Sequence, residues 1–322
     1  VRAIVEIPVD GSGAEDDEAV RVIVSHGGFY AHPALSPDGS RLAYVVWPDT
    51  RMPWDAALAC VVDLVSGADG AIPSRAALQP EWVSDDELLF ADDATGRWNL
   101  HRARIGAQPA PPIPTPPATR EDFSRADADT GGGLWVLGQR WFRILDDGRI
   151  LAVRTNGSDS LVLLDRDGAL LRELDVPFDA DLSLEDARGS RVLVTGQGRR
   201  VTPGLWELDV DAGTVRAVRA GDAVDPAWVP GARAVTFTGP HGPVHAFDHA
   251  PANPDVSAEP GVLPPYIVQV HGGPTAHATG AQASWITAFT SRGIGVLEVN
   301  YGGSTGDGRA YRERLDGPRG VV

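Results

Sequence analysis

A glycine-rich turn after an apolar strand is the strongest chemical signal in the sequence. His271, Gly272 and Gly273 follow the run Tyr266–Val270, which is typical of a strand buried in a parallel sheet. Glycine lets the backbone approach a substrate and turn amide N–H groups toward a developing oxyanion. A plain strand-to-helix turn would use the same residues. The tetrapeptide His-Gly-Gly-Pro by itself leaves both interpretations open.

A second glycine-rich segment matches the sequence motif of a serine nucleophile but lacks the structural context that the motif requires. Gly302 to Gly306 fit Gly-x-Ser-x-Gly around Ser304. In a nucleophile elbow the helix begins at the serine, so that its dipole and the next N–H face the substrate. Here Gly306 and Gly308 would fall in the first helical turns, where glycine costs about 1 kcal/mol relative to alanine. We therefore predict that Ser304 is not the nucleophile.

Three histidines and an acidic run could suggest a metal site. His241, His245 and His249 are spaced by four residues, as ligands on one helix face would be. A glycine and a proline between them break any helix there, so we expect ordinary strand and loop histidines. The acidic run at 15–18 is more typical of a solvated loop than of a calcium site. The sequence therefore predicts no metal site.

The elements around the glycine turn form a strand–helix–strand pattern. A helix is expected at about 285–292, with Gly293 as its C-terminal stop. Gly295–Asn300 is a second apolar strand, and the whole pattern has the length of a βαβ unit. Before it, residues 251–265 have the Pro-, Ala- and acid-rich composition of a linker.

The first 250 residues alternate short apolar strands with turns, which is the signature of an all-β fold. The turns use Pro, Asp and Gly, the residues that tight reversals require. The apolar markers Leu42, Leu88, Ile150, Val192 and Val235 stand 46, 62, 42 and 43 residues apart. Four-stranded propeller blades recur about every 40–50 residues. The longest interval contains the proline-rich segment 108–119, an excursion between blades. We expect an incomplete propeller with about five visible blades.

Composition narrows the function classes. Hydrophobic residues make up 43% and charged residues 22%, as in ordinary globular proteins. The net charge of -16 argues against nucleic-acid binding. No apolar run reaches the roughly 18 residues of a membrane helix, so no membrane partner is expected. Cys60, the only cysteine, lies in a strand-like run, which predicts an inert core thiol and a reducing, cytoplasmic compartment.

The sequence around the glycine turn resembles the start of the peptidase domain in the prolyl oligopeptidase family of serine peptidases. The most similar branch is the acylaminoacyl-peptidase and dipeptidyl-aminopeptidase type. The segments that carry this resemblance are 271–275, 290–293, 299–306 and 308–315. A looser resemblance to the blades of these enzymes is found in 35–39, 52–55, 79–82 and 95–100.

The resemblance implies a β-propeller at 1–250, the linker at 251–265 and the start of an α/β-hydrolase domain at 266–322. It implies a peptidase that hydrolyses short peptides through a Ser-His-Asp triad and an acyl-enzyme, with the propeller as a size-selecting cap. The triad would lie downstream of Val322. Within this chain the backbone N–H of Gly273, and next that of Gly272, would be the oxyanion donors. The family implies no metal and no organic cofactor.

Trp54, Trp98 and Tyr301 are candidates for substrate contact, although packing between blades is the commoner role for such tryptophans. Two other functions stay open, namely a non-catalytic propeller that binds proteins and a propeller-capped esterase. A homo-oligomer is also left open. The 322-residue chain alone is expected to be inactive and to aggregate, because its two buried-type strands would have no sheet to join.

Overall fold

Short strands joined by tight turns make up most of the protein, as the sequence pattern predicted. The structure is a computed structural model that describes residues 2–14, 16–26, 28–106, 118–221 and 225–316. The chain forms two units, 1–126 with 134–138 and 127–133 with 139–322. Within the described ranges, no helix is long and apolar enough to cross a membrane.

The first unit consists of antiparallel sheets. Its first sheet pairs β1 (Ile4–Glu6) with β2 (Arg21–Val24), and a short 3-10 helix at Asp17–Ala19 lies between them. Two four-stranded sheets follow, with strands β3 (Phe29–Leu35), β4 (Arg41–Trp47), β5 (Leu58–Asp63), β6 (Asp69–Ile72), then β7 (Leu78–Ser84), β8 (Glu87–Asp92), β9 (Asn99–Ile105) and β10 (Ala118–Ser124). A core that includes Val61, Leu88 and Phe90 joins these two sheets.

The second unit repeats this arrangement with two more four-stranded antiparallel sheets. Their strands are β11 (Phe142–Ile144), β12 (Ile150–Asn156), β13 (Ser158–Leu164), β14 (Leu170–Leu174), then β15 (Ala180–Arg188), β16 (Arg191–Gln197), β17 (Gly204–Asp209) and β18 (Thr214–Ala220). Leu151, Leu163, Leu182 and Val194 belong to the apolar core that the two sheets share. Burial of each such side chain contributes about 1.5–3 kcal/mol.

The turn chemistry seen in the sequence is realised in the structure. Gly39 has a φ of 70°, and its N–H donates a hydrogen bond of 2.9 Å to the Ser36 carbonyl. The Ser36 hydroxyl donates to Asp38 Oδ1 at 2.7 Å. A residue with a side chain rarely adopts this φ, so the glycine fixes where β3 ends and β4 begins.

The last sheet of the second unit is mixed. Its strands are β19 (Arg233–Gly239), β20 (Gly242–His249), β21 (Tyr266–Val270) and β22 (Gly295–Asn300), in the order β19-β20-β22-β21. β20 runs antiparallel to β22, whereas β21 runs parallel to it. Helix α1 (Ser284–Thr290) connects the parallel pair, which confirms the predicted βαβ unit. The other helical segments described in the second unit are α2 (Arg309–Arg312) and the 3-10 turns Pro226–Trp228 and Glu313–Leu315.

This mixed sheet corrects two expectations from the sequence. Val235, taken as the marker of a fifth blade, lies in β19 and therefore in the mixed sheet rather than in a four-stranded antiparallel blade. A turn followed by a strand predicts that two neighbouring strands pair as a hairpin. It does not predict which third strand pairs with the free edge of that hairpin. The two apolar strands also have a sheet to join, since β22 pairs with β20.

β21 is less buried than its apolar sequence predicted. It lies at one end of the strand order, and Tyr266, Val268 and Val270 are 43%, 61% and 57% exposed. The sequence shows that a strand is apolar, but burial depends on which elements pack on its two faces.

Candidate functional site

The glycine turn leaves the carboxyl end of β21, the end of a parallel strand where ligands commonly bind. Gly272 and Gly273 are both exposed, and a Cβ added to Gly272 would meet no atom within 4 Å. Among the hydrogen bonds of the described turns and loops, none is donated by the N–H of either glycine. Neither amide is therefore occupied by a backbone acceptor in the described residues, which leaves both available to a ligand, as an oxyanion hole requires.

The side chain of His271 is held on both ring nitrogens. Its Nδ1 lies 2.9 Å from the carbonyl oxygen of Gly272, and its Nε2 lies 2.6 Å from Ser304 Oγ. The Tyr301 ring stacks on the imidazole, with centroids 4.4 Å apart, and the Tyr301 hydroxyl donates to the His271 carbonyl at 3.2 Å. The first residue of the glycine turn is thus fixed by residues that follow the neighbouring strand β22.

The loops after β21 and β22, residues 271–283 and 301–308, are joined along their length; we call them the paired loops. The Thr275 hydroxyl donates to the Gly303 carbonyl at 2.6 Å. Asn300, which is 3% exposed, receives the Ala278 N–H at 2.7 Å and donates its amide to the Ala278 carbonyl at 3.0 Å. These bonds position the glycine turn relative to the sheet.

Burial controls the charge of the groups at the turn. Desolvation lowers the pKa of His271 below its ordinary value, and the nearby His277 acts in the same direction, while the bond to Gly272 opposes both. Burial also raises the pKa of Tyr301. His271 is therefore a neutral imidazole near pH 7, with one nitrogen protonated and the other an acceptor.

The paired loops rest on the strands of the antiparallel sheets in the same unit. The Gly308 N–H donates to Asp129 Oδ2 at 3.2 Å, and Asp129 forms a β-bridge with Thr155 of β12. Between the two loops, His277 Nδ1 lies 2.9 Å from Thr305 Oγ1. Beneath them, the buried Asp159 accepts the Thr155 hydroxyl at 2.6 Å and the Leu182 N–H at 3.0 Å. Burial raises the pKa of this carboxyl group.

Two cavities differ in their relation to the glycine turn. The larger, about 910 Å³, lies in the first unit and is lined by residues such as Trp47, Cys60 and Asp69. The smaller, about 230 Å³, adjoins the paired loops and is lined by His271, Glu298 and other polar side chains. Of these two cavities, only the second is lined by a residue of the glycine turn.

Comparison with known proteins relates this site to a peptidase fold. The sequence matches no protein-family model and no curated protein. A solved structure of a puromycin-hydrolysing peptidase from Mycobacterium tuberculosis is 36% identical over 98% of this chain, with a TM-score of 0.89. A crystal structure of puromycin hydrolase is 38% identical over 98% of the chain, with a TM-score of 0.85. The chain belongs to the prolyl oligopeptidase family.

More distant members of the prolyl oligopeptidase family share the fold. Prolyl oligopeptidase B from Galerina marginata is 13% identical over 93% of this chain, with a TM-score of 0.70. That likeness supports the propeller-like architecture of the antiparallel sheets. The chain spans 48% of the puromycin-hydrolysing peptidase and 41% to 42% of the prolyl oligopeptidase B structures.

Trp54 and Trp98, the two tryptophans that were candidates for substrate contact, lie inside the first unit. Trp98 has no exposed surface, and its Nε1–H donates to the Ala76 carbonyl at 2.8 Å. Trp54 is 3% exposed and packs on Trp135 with ring centroids 4.6 Å apart. The packing role that the sequence left open accounts for both residues.

Tyr301 and the glycines come together at the end of the parallel pair, whereas both tryptophans belong to the first unit. Ser304 has no exposed surface, and the helix after it begins at Arg309. Ser304 is buried and the following helix does not begin at it, and both observations support the prediction that Ser304 is not the nucleophile. His245 and His249 lie in β20, beside Thr236 and Glu298 respectively.

Sequence reasoning missed the side-chain role of His271 and its contact with Ser304. The two residues are 33 positions apart. The βαβ pattern signals that their loops emerge at the same sheet edge. No spacing rule signals that their side chains meet.

Proposed function

We propose that this chain is part of a serine peptidase that hydrolyses short peptides through a Ser-His-Asp triad and an acyl-enzyme. The triad lies outside residues 1–322, the antiparallel sheets form a propeller that acts as a size-selecting cap, and the mixed sheet begins an α/β-hydrolase domain. The protein is cytoplasmic, which the single buried thiol of Cys60 supports. The observation that supports this proposal most directly is the pair of exposed residues Gly272 and Gly273, whose amides donate no backbone hydrogen bond in the described residues.

The mixed sheet supports this proposal. An antiparallel hairpin leads into two parallel strands joined by a helix, and the glycine turn follows the first parallel strand. In α/β-hydrolases one oxyanion donor comes from the loop after the corresponding strand, and the other from the residue after the nucleophile. Gly273 is the better candidate of the two glycines, because its N–H belongs to the peptide unit that His271 holds.

Puromycin is the first substrate to test, because two similar solved structures carry its hydrolysis in their names. The full-length protein that contains this sequence should release the amino acid of puromycin and cleave aminoacyl p-nitroanilides. A parallel panel of p-nitrophenyl esters separates a peptidase from an esterase. Turnover of esters with no turnover of any amide would overturn the peptidase proposal.

A fluorophosphonate probe tests the location of the nucleophile. Peptide mapping of the labelled full-length protein should find the label on a serine outside 1–322. Ser304→Ala should still be labelled to full stoichiometry, and the 322-residue chain alone should show no turnover. Label on Ser304, or turnover by the isolated chain, would contradict the proposed site.

A further inference from the structure

The hydroxyl of Ser304 lies within hydrogen-bond distance of two acceptors. Ser304 has no exposed surface, and its Oγ lies 2.6 Å from His271 Nε2 and 2.8 Å from the Tyr301 carbonyl oxygen. A hydroxyl has one proton, so it donates to only one of these two acceptors. The arrangement of the imidazole decides which one.

The contact between His271 and Gly272 fixes the tautomer of the ring. A carbonyl oxygen only accepts, so the 2.9 Å contact requires a proton on Nδ1. In a neutral imidazole Nε2 is then an acceptor, and it receives the Ser304 proton. The Tyr301 carbonyl is not left unpaired, because the Ser304 N–H donates to it at 3.0 Å.

This contact also orients an amide group. The Gly272 carbonyl and the Gly273 N–H belong to one planar trans peptide unit, in which they point in opposite directions. A peptide between two glycines rotates with little steric resistance. A hydrogen bond to the Gly272 carbonyl therefore sets the direction of the Gly273 N–H.

We propose that Ser304 and His271 are positioning residues, in which the Ser304 hydroxyl holds the Nδ1–H tautomer of His271 and His271 fixes the Gly272–Gly273 peptide for oxyanion binding. The Tyr301 ring, stacked on the imidazole, limits its rotation. The inference rests on the proposed function, since it assigns a purpose to the fixed amide. The serine in the Gly-x-Ser-x-Gly segment thus serves the reaction without attacking the substrate.

The first test compares Ser304→Ala with wild type in the full-length protein. Loss of an entire oxyanion donor costs about 10²–10³ in kcat. A misoriented donor should lower kcat about 10- to 100-fold with KM within about threefold, because the donor acts mainly in the transition state. Fluorophosphonate labelling should still reach full stoichiometry. Ser160→Ala is the matched control, since Ser160 is a half-buried β13 serine bonded to the Arg154 carbonyl; it should behave as wild type.

Substitutions of His271 keep the proposal testable if Ser304→Ala fails to fold. An asparagine amide nitrogen takes the place of Nδ1, whereas a glutamine nitrogen takes that of Nε2. His271→Asn should therefore retain more of kcat than His271→Gln. Equal losses in both variants, or a wild-type kcat in Ser304→Ala, would overturn the proposal.

A crystal structure of the full-length Ser304→Ala protein gives a readout that does not depend on catalysis. The Gly272–Gly273 peptide should be rotated or present in two orientations. An unchanged, single orientation would overturn the positioning role. If the wild-type protein hydrolyses nothing and takes up no probe, the proposed function fails, while the orientation of this peptide still decides whether Ser304 and His271 position it.

Discussion

Gly280 offers a direct test of how the loop that carries the glycine turn is held. The residue is buried in the second unit and has a φ of 68°, a conformation that costs a residue with a side chain about 1–2 kcal/mol. A Cβ at this position would lie 2.5, 2.8 and 2.9 Å from three ring atoms of Phe247, which is itself 3% exposed. Overpacking of this kind costs about 1–3 kcal/mol. Gly280→Ala should therefore lower the free energy of unfolding by about 2–5 kcal/mol, the sum of the two costs.

Gly293→Ala separates the two contributions. Gly293 has a similar φ of 81°, but a Cβ there would meet no atom within 4 Å. It should lose only the backbone contribution of about 1–2 kcal/mol. Urea unfolding followed by tryptophan fluorescence gives both values from the midpoint shift and the slope. Equal losses in the two variants would show that Phe247 moves aside freely and that contact with this ring does not hold the loop.

Three further outcomes follow from buried groups. Folding raises the pKa of Asp159, so the folded protein takes up a proton. Its unfolding free energy should therefore fall as pH rises from about 4 toward that raised pKa. The fall should be absent in Asp159→Asn, and an identical pH dependence in the variant and the wild type would refute the assignment. Burial raises the pKa of Cys60 to about 12, so iodoacetamide at pH 8 should leave the native thiol unmodified and alkylate it in urea. Trp98→Phe should cost about 1 kcal/mol from the lost bond to Ala76 and leave KM for peptides unchanged, whereas a raised KM at unchanged stability would support substrate contact.

Local chemistry made most strands predictable. Pro, Asp and Gly mark where a chain reverses, and a short apolar run between two such turns favours a strand. The strand marked by Leu42 is found as β4 for this reason, and the helix expected at 285–292 is found as α1. The glycine turn was equally predictable, because an apolar strand followed by His-Gly-Gly is a local signal.

Pairing and burial were less accessible, because they depend on residues far apart in the chain. Val235 shows the same local pattern as the blade markers, yet β20 turns its free edge to β22 instead of to another blade strand. Trp98 and Trp54 illustrate the same limit for side chains, since neither lies in a strand and the sequence does not show which neighbouring elements cover them. The contact between His271 and Ser304 arises only when two loops fold against each other.

The pairing of β20 with β22 has a practical consequence for anyone dividing the protein into pieces. A cut near residue 250, where the composition changes, would separate the hairpin Arg233–His249 from the strand that completes it. One product would carry a hairpin with an unpaired edge strand. The other would expose the backbone amides of β22 to solvent and to other copies of the chain. Expression boundaries placed between Ala220 and Arg233 keep this ladder whole, and we expect the exposed residues 254–263 between β20 and β21 to tolerate insertions.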